Sequence, residues 1–180
     1  LVYLDSANSS QKPKVVIDRL SSFYETEFSN VGRSVHTLAV KATNRFEATR
    51  DILKKYINAQ HREEIVFTKG ATESINLVAS SFGEKYIKEG DEILITELEH
   101  HSNYVPWHFL RKNKGAIIKF APVNKNGEVE IDEIKKLISD KTKIIAITHI
   151  SNVTGAVMPI KKIVDIAKEK NIPVLVDGTQ

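Results

Sequence analysis

The spacing of apolar residues changes character about a third of the way along the chain. Val16, Leu20, Phe23 and Tyr24 recur at helical spacing behind Pro13, which suits a first helical turn, and predict a helix over Pro13–Phe28. A polar break with Gly32 follows. Ala42, Phe46, Leu53, Tyr56 and Ile57 then predict a second helix over about 38–57. Beyond it, short apolar runs alternate with helical stripes. Strands are expected at Glu64–Thr68, Glu92–Thr96, Ala116–Val123, Lys143–Ile150 and Val174–Asp177. Between them lie helices marked by Ile75, Val78, Ala79 and Phe82, by Val105–Leu110, by Ile134, Leu137 and Ile138, and by Ile160–Lys168. Five short strands rich in Ile and Val, alternating with helices, are the form of an α/β fold: a mainly parallel sheet covered on both faces in three αβα layers. Residues 1–60, all helix and loop, are expected to form a separate amino-terminal segment. Residues 61–180 carry the sheet.

Composition narrows the function. The 180 residues include 26 basic and 23 acidic side chains, interspersed, for a net charge of +3. That is too mild to argue for nucleic acid or an anionic membrane. No apolar run approaches the ~20 residues of a membrane helix, and the first ten residues lack the basic start and apolar block of a signal peptide. There is no cysteine, so disulfides and thiolate metal sites are excluded within these residues. Leu1 in place of methionine suggests a processed chain or an excerpt of a longer one.

In open parallel sheets ligands bind beyond the carboxyl ends of the strands. Four polar segments follow strands and should converge there: Thr68–Glu73, Glu97–Asn103, His149–Gly155 and Asp177–Gln180. Gly70-Ala71-Thr72 opens a helix, where free N–H groups attract a phosphate; the motif alone reads better as a helix cap at Thr72. His100 is able to stack on a flat ring and exchange protons. A metal there would have only Glu97 and Glu99 as local partners, and no metal site is expected. Asn152 reads in isolation as a turn residue, and His149 as a packed side chain. Asp177, after Val174-Leu-Val176, is a carboxylate partly drawn from water and in need of a partner; nearby backbone donors, a metal or a cationic ligand would serve, and a protonated ring nitrogen is one such cation and the sharper reading.

With those residues assembled, the chain resembles the cysteine desulfurases of the iron–sulfur cluster assembly type, within the class V aminotransferases. It is similar to their SufS-like branch, which includes selenocysteine lyases. The matching stretches are YLDSANSSQKP (Tyr3–Pro13), GRSVHTL (Gly32–Leu38), FTKGATESINLVA (Phe67–Ala79), ELEHHSNYVPW (Glu97–Trp107), THISNVTG (Thr148–Gly155) and VDGTQ (Val176–Gln180). They occur in family order. Departures are Gly32 where relatives usually have histidine, Asn8 where alanine is common, and Thr179 where alanine is usual.

The resemblance implies pyridoxal 5′-phosphate (PLP) on the fold-type-I transferase scaffold. Ala71 and Thr72 would take the phosphate, and His100 would stack on the ring and move protons. Asp177 would pair with the ring nitrogen, Asn152 and Gln180 would contact the phenolic oxygen, and Arg33 and His36 would lie near the substrate entrance. The implied reaction removes sulfur from L-cysteine, giving L-alanine and an enzyme persulfide that passes to a sulfur-acceptor protein of cluster assembly. A homodimer and a cytoplasmic setting are implied, with an organellar matrix or stroma as the alternative. The family also needs a Schiff-base lysine in a Ser-x-His-Lys motif and a persulfide cysteine; neither is in these residues. The chain therefore resembles the amino-terminal part, a little under half, of such an enzyme, and by itself is expected to be inactive and unstable or aggregating. Two alternatives remain: a selenocysteine lyase or another class V lyase, and a non-catalytic binding module.

Overall fold

The computed structural model describes residues 1–33 and 35–180. They form two compact units, Leu1–Phe67 and Thr68–Gln180. No helix among the described residues is long and apolar enough to cross a membrane.

The first unit holds two helices. α1 (Lys14–Thr26) follows Pro13, whose extended backbone serves as the N-cap. α2 (Thr37–Tyr56) starts at His36, whose ring accepts a hydrogen bond from the Ala39 N–H. Only Ala39 and Ala42 of these helices are buried. Val16, Leu20 and Tyr24, the stripe that predicts α1, are exposed. Glu64 closes a 3₁₀ turn over Arg62–Glu64 by accepting from the His61 N–H at 2.6 Å. The strand expected at Glu64–Thr68 is not formed. Ile65 is buried, and its carbonyl accepts from the Arg50 guanidinium, which sits over the Phe46 and Phe67 rings. Apolar alternation marks an extended segment, but a strand needs a neighbouring ladder, and none of the described residues pairs with this one.

The second unit is a parallel sheet of four strands rather than five. β1 (Glu92–Thr96), β2 (Ile117–Ala121), β3 (Thr142–Thr148) and β4 (Val174–Asp177) lie in the order β2-β1-β3-β4. Alternate residues of the two central strands face opposite ways. Ile93, Ile95, Ile144 and Ala146 pack on Ile75 and Ala79 of the first helical stretch and on Trp107 and Leu110 of α5 (Val105–Lys114). Leu94, Ile145 and Ile147 pack on Ile134 of α6 (Ile131–Leu137) and on Ile163 and Ala167 of α7 (Ile160–Glu169). Helices thus cover both faces, as the αβα reading requires. The first stretch is α3 (Ala71–Val78), continued through a π-helical turn at Ala79–Gly83 into α4 (Glu84–Tyr86). Burial on both faces holds for β1 and most of β3. On the outer strands, Ile117 and Phe120 of β2 and Val176 of β4 remain exposed.

The strand order places the chain's reversal between β1 and β3. β1 connects outward to β2, and the chain then crosses back to β3 and on to β4. A crevice opens beyond the carboxyl ends of strands at such a point. At the opposite end of β1, Glu92 is buried and fastens three strands together. Its Oε2 accepts from Ser139 Oγ at 2.5 Å and Thr142 Oγ1 at 3.1 Å and meets Lys119 Nζ at 2.8 Å. Burial alone would push this carboxyl up, but Lys119, Ser139 and Thr142 outweigh it and hold it below the usual range. Its stabilisation is therefore present above the usual glutamate value and lost as pH falls through the lowered one. Glu92→Gln is expected to cost about 1.5–3 kcal/mol near neutral pH, with the gap to the parent closing in acid. Denaturant midpoints of both proteins across pH measure it.

Candidate active site

The polar segments that follow the strands are brought to one rim of the sheet unit. Glu99 lies at the reversal between β1 and β3. Its half-buried carboxylate accepts three hydrogen bonds: from Thr96 Oγ1 at 2.6 Å, from the Thr148 N–H at 3.0 Å and from Asn103 Nδ2 at 2.6 Å. Asn103, fully buried, accepts in turn from Trp107 Nε1 at 3.1 Å. One side chain thus joins the ends of both central strands to the turn that carries the histidines and to the first turns of α5. Burial pushes the Glu99 carboxyl above its usual range; the bonds from Thr96, Asn103 and Thr148 oppose this, and the charge of Asp177 adds to the rise.

His100 begins the 3₁₀ turn His101–Asn103 and caps it, its Nδ1 accepting from the Ser102 N–H at 3.2 Å. Its ring meets that of His101 edge to face, with centroids 6.0 Å apart at 74°. Ser102 Oγ is 3.0 Å from His100 Nδ1 and 2.7 Å from Thr72 Oγ1. Thr72 does not cap its helix: Gly70 occupies the N-cap position with no side-chain bond, and the Thr72 hydroxyl points to Ser102 instead. Around the first turn of α3 the backbone is open, and a Cβ built on Gly70 would meet nothing within 4 Å. N–H groups in a first helical turn have no carbonyl partner within the helix.

Asp177 closes β4 and is buried. Its backbone carbonyl accepts from the His149 N–H at 2.8 Å, in register with Thr148 opposite. Its Oδ1 accepts from the Thr179 N–H at 3.1 Å and from Thr179 Oγ1 at 2.6 Å. Oδ2 has no hydrogen-bond partner among the described residues. Thr179 therefore supplies two donors to Oδ1. Beside Asp177 lies a cleft of about 450 Å³ lined by Ala71, Ser74, Ile75 and Val78 of α3 and by Leu175–Thr179.

Ala71 and Asp177 therefore share one cleft, while Thr72, Ser102 and His100 form one hydrogen-bonded run. Thr72 itself lines a separate groove with His101 and Ser102. Asn152 sits in the turn after β3, exposed, and its side chain makes no hydrogen bond among the described residues. Gln180 is exposed at the end of the same rim. Arg33, exposed, and His36, the cap of α2, belong to the first unit; Ser34 of their motif lies outside the described residues. His149 is exposed rather than packed: it lies one residue past the end of β3, where its N–H still bonds the Asp177 carbonyl. Among the described residues no group of three or more His, Asp or Glu is placed to hold a metal ion. Glu99, Asn103 and Ser102 are the site residues that sequence reasoning passes over. Glu99 drew notice only as a weak metal candidate, and nothing in its spacing signals a bond to Thr148.

Because its folded-state value is raised, Glu99 favours the folded protein most at low pH, and that contribution is lost as pH rises through the raised value. Relative to Glu99→Gln, the parent is expected to gain stability as pH falls from above the raised value toward the usual glutamate value, opposite in sign to Glu92. Denaturation midpoints of the pair across that range test it; a constant difference counts against a titrating Glu99.

The chain matches the Aminotransferase class-V family over residues 2–180. It is 49% identical over 180 residues to a probable cysteine desulfurase of Halalkalibacterium halodurans, covering 100% of this chain and 44% of that protein. It is 48% identical over 180 residues to a cysteine desulfurase of Synechococcus elongatus, again over 100% of this chain but 29% of the relative. The chain thus spans less than half the length of these relatives. Among solved structures, the apo cysteine desulfurase of Thermococcus onnurineus superposes with a TM-score of 0.92 at 35% identity, covering 98% of this chain and 44% of that one. The cysteine desulfurase CsdA of Escherichia coli gives a TM-score of 0.86 at 36% identity, covering 99% and 45%. Matched from its second residue to its last, on the same parallel-sheet scaffold, the chain belongs to the class V aminotransferase family.

Proposed function

We propose that this chain is the cofactor-binding amino-terminal part of a PLP-dependent cysteine desulfurase of the SufS-like group. It would release L-alanine from L-cysteine and pass the sulfur, as a persulfide, to an acceptor protein of iron–sulfur cluster assembly. The observation that carries the reading is Asp177: a buried residue lining a cleft that begins at the open first turn of α3, with Oδ1 held by Thr179 and Oδ2 bonded to none of the described residues. The donor set suits PLP. The first turn of α3 offers N–H groups to a phosphate, Ile75, Val78 and Leu175 give an apolar wall for a flat ring, and Asp177 offers a charge to a ring N–H.

PLP, when bound, supplies an electron sink for the pair left when a proton leaves the substrate's α-carbon. The chain's own residues do the rest of the holding. Ala71 and Thr72 take the phosphate end. Asp177 keeps a proton on the ring nitrogen, because a carboxylate drawn from water favours the cationic partner beside it. Thr179 holds that carboxylate in place through two bonds to Oδ1. His100 would stack on the ring and carry protons, and Asn152 and Gln180 would serve the phenolic oxygen. The Schiff-base lysine and the persulfide cysteine come from outside these 180 residues, and the working enzyme is a homodimer.

Alanine release from L-cysteine by the full-length protein tests the reading. Turnover is expected with cysteine, and a marked preference for selenocysteine would reassign the enzyme as a lyase of that substrate. Asp177→Asn is expected to lower turnover about 100-fold, with the cofactor's absorption spectrum altered as well. Unchanged turnover and spectrum would remove Asp177 from its proposed role.

A further inference from the structure

Three polar atoms link Thr72 to His100, and the chemistry of the last one sets the direction of every bond between them. The Ser102 backbone N–H is an obligatory donor, and it points at His100 Nδ1. Nδ1 therefore presents its lone pair, and the ring proton sits on Nε2. Ser102 Oγ, 3.0 Å from the same nitrogen, bonds to it only by giving its own proton, sharing the single Nδ1 lone pair with the backbone N–H. A serine hydroxyl has one proton. The 2.7 Å contact with Thr72 Oγ1 must then be filled by the Thr72 proton. The run reads in one direction: Thr72 O–H to Ser102 Oγ, Ser102 O–H to His100 Nδ1.

That direction leaves Thr72 with no proton for an anion. From this we infer that Ser102 is a positioning residue that couples an anion at Thr72 to the state of the His100 ring. The inference rests on the proposed reading of Thr72 as a phosphate contact. A phosphate oxygen only accepts, so Thr72 turns its O–H outward to it. Thr72 Oγ1 is then left as an acceptor, and Ser102 swings its proton from Nδ1 to Thr72. His100 Nδ1 now faces a lone pair of Ser102 Oγ instead of a proton. A proton taken from water onto Nδ1 is favoured in this arrangement, because it donates to that lone pair. Uptake also ends the capping bond from the Ser102 N–H, releasing the ring to turn. Phosphate capture at one end thereby prepares the histidine at the other.

The other ionisable groups around the ring do not compete for this role. Glu99, its chain neighbour, is engaged by Thr96, Asn103 and Thr148. Glu73 of α3 accepts from the Lys69 N–H at 2.6 Å. His101 meets the ring edge to face, without a hydrogen bond.

The test uses the full-length protein freed of cofactor, with ¹⁵N-labelled histidine and methyl-labelled threonine, titrated with inorganic phosphate at fixed pH. The Thr72 methyl resonance reports the anion, and the His100 ¹⁵N shifts report which nitrogen is protonated. In the parent the protonated fraction at Nδ1 is expected to rise about 2- to 10-fold, the factor one ordinary hydrogen bond contributes. In Ser102→Ala, which keeps the backbone N–H, the rise shrinks to what the anion's charge alone produces; Ser102→Thr restores it. An equal response in parent and Ser102→Ala, with Thr72 responding in both, overturns the coupling and leaves the phosphate site intact. No response at Thr72 overturns the phosphate reading and the coupling together.

Discussion

The carboxylate of Glu99 is the point at which sheet and site become one structure. A parallel sheet with this strand order must part its helical connections between β1 and β3, and the parting leaves a crevice where strand ends have no further ladder bonds. Glu99 closes that gap. One oxygen holds the Thr96 hydroxyl and the Thr148 N–H, and the other holds Asn103, which holds Trp107. The histidine turn, the start of α5 and the approach to Asp177 all take their positions from these bonds. A carboxylate so placed is costly to ionise, since burial and the nearby Asp177 both oppose its charge. Three donors offset part of that cost.

Glu92 stands at the other end of the same strand under the opposite balance. There Lys119 supplies a full positive charge, and with Ser139 and Thr142 it outweighs burial. The two glutamates bracket β1 and bind it to its neighbours at both ends. Between them β1 is apolar until Thr96, with Ile93 and Ile95 toward one helical layer and Leu94 toward the other. The functional rim is built where the apolar run ends, because there polar groups meet water and one another.

Much of this was legible from the chain. Short Ile- and Val-rich runs between helical stripes marked β1 to β4, and Val174–Asp177 was bounded correctly because a small polar Gly-Thr segment follows directly. The segment Glu64–Thr68 carried the same signal and is not a strand. Ile65 is buried and bonds Arg50, whose guanidinium lies over Phe46 and Phe67 within the first unit, while Val66 and Phe67 stay exposed. His149 and the capping reading of Thr72 failed for a related reason. Each depended on which way one side chain turned, and spacing does not carry that information.

By itself the sequence determined the class of fold, the rim on which polar groups gather and the family to which the chain belongs. These follow from periodicity and from short motifs, which are local properties. Only the tertiary structure decided that Glu99 reaches Thr148 across 49 positions of sequence, that Ser102 stands between Thr72 and His100, and that Asp177 keeps one oxygen open. Hydrogen bonds are made at distances of about 3 Å in directions fixed by each donor. The partners in such bonds are chosen by packing, after the strands have brought distant segments side by side.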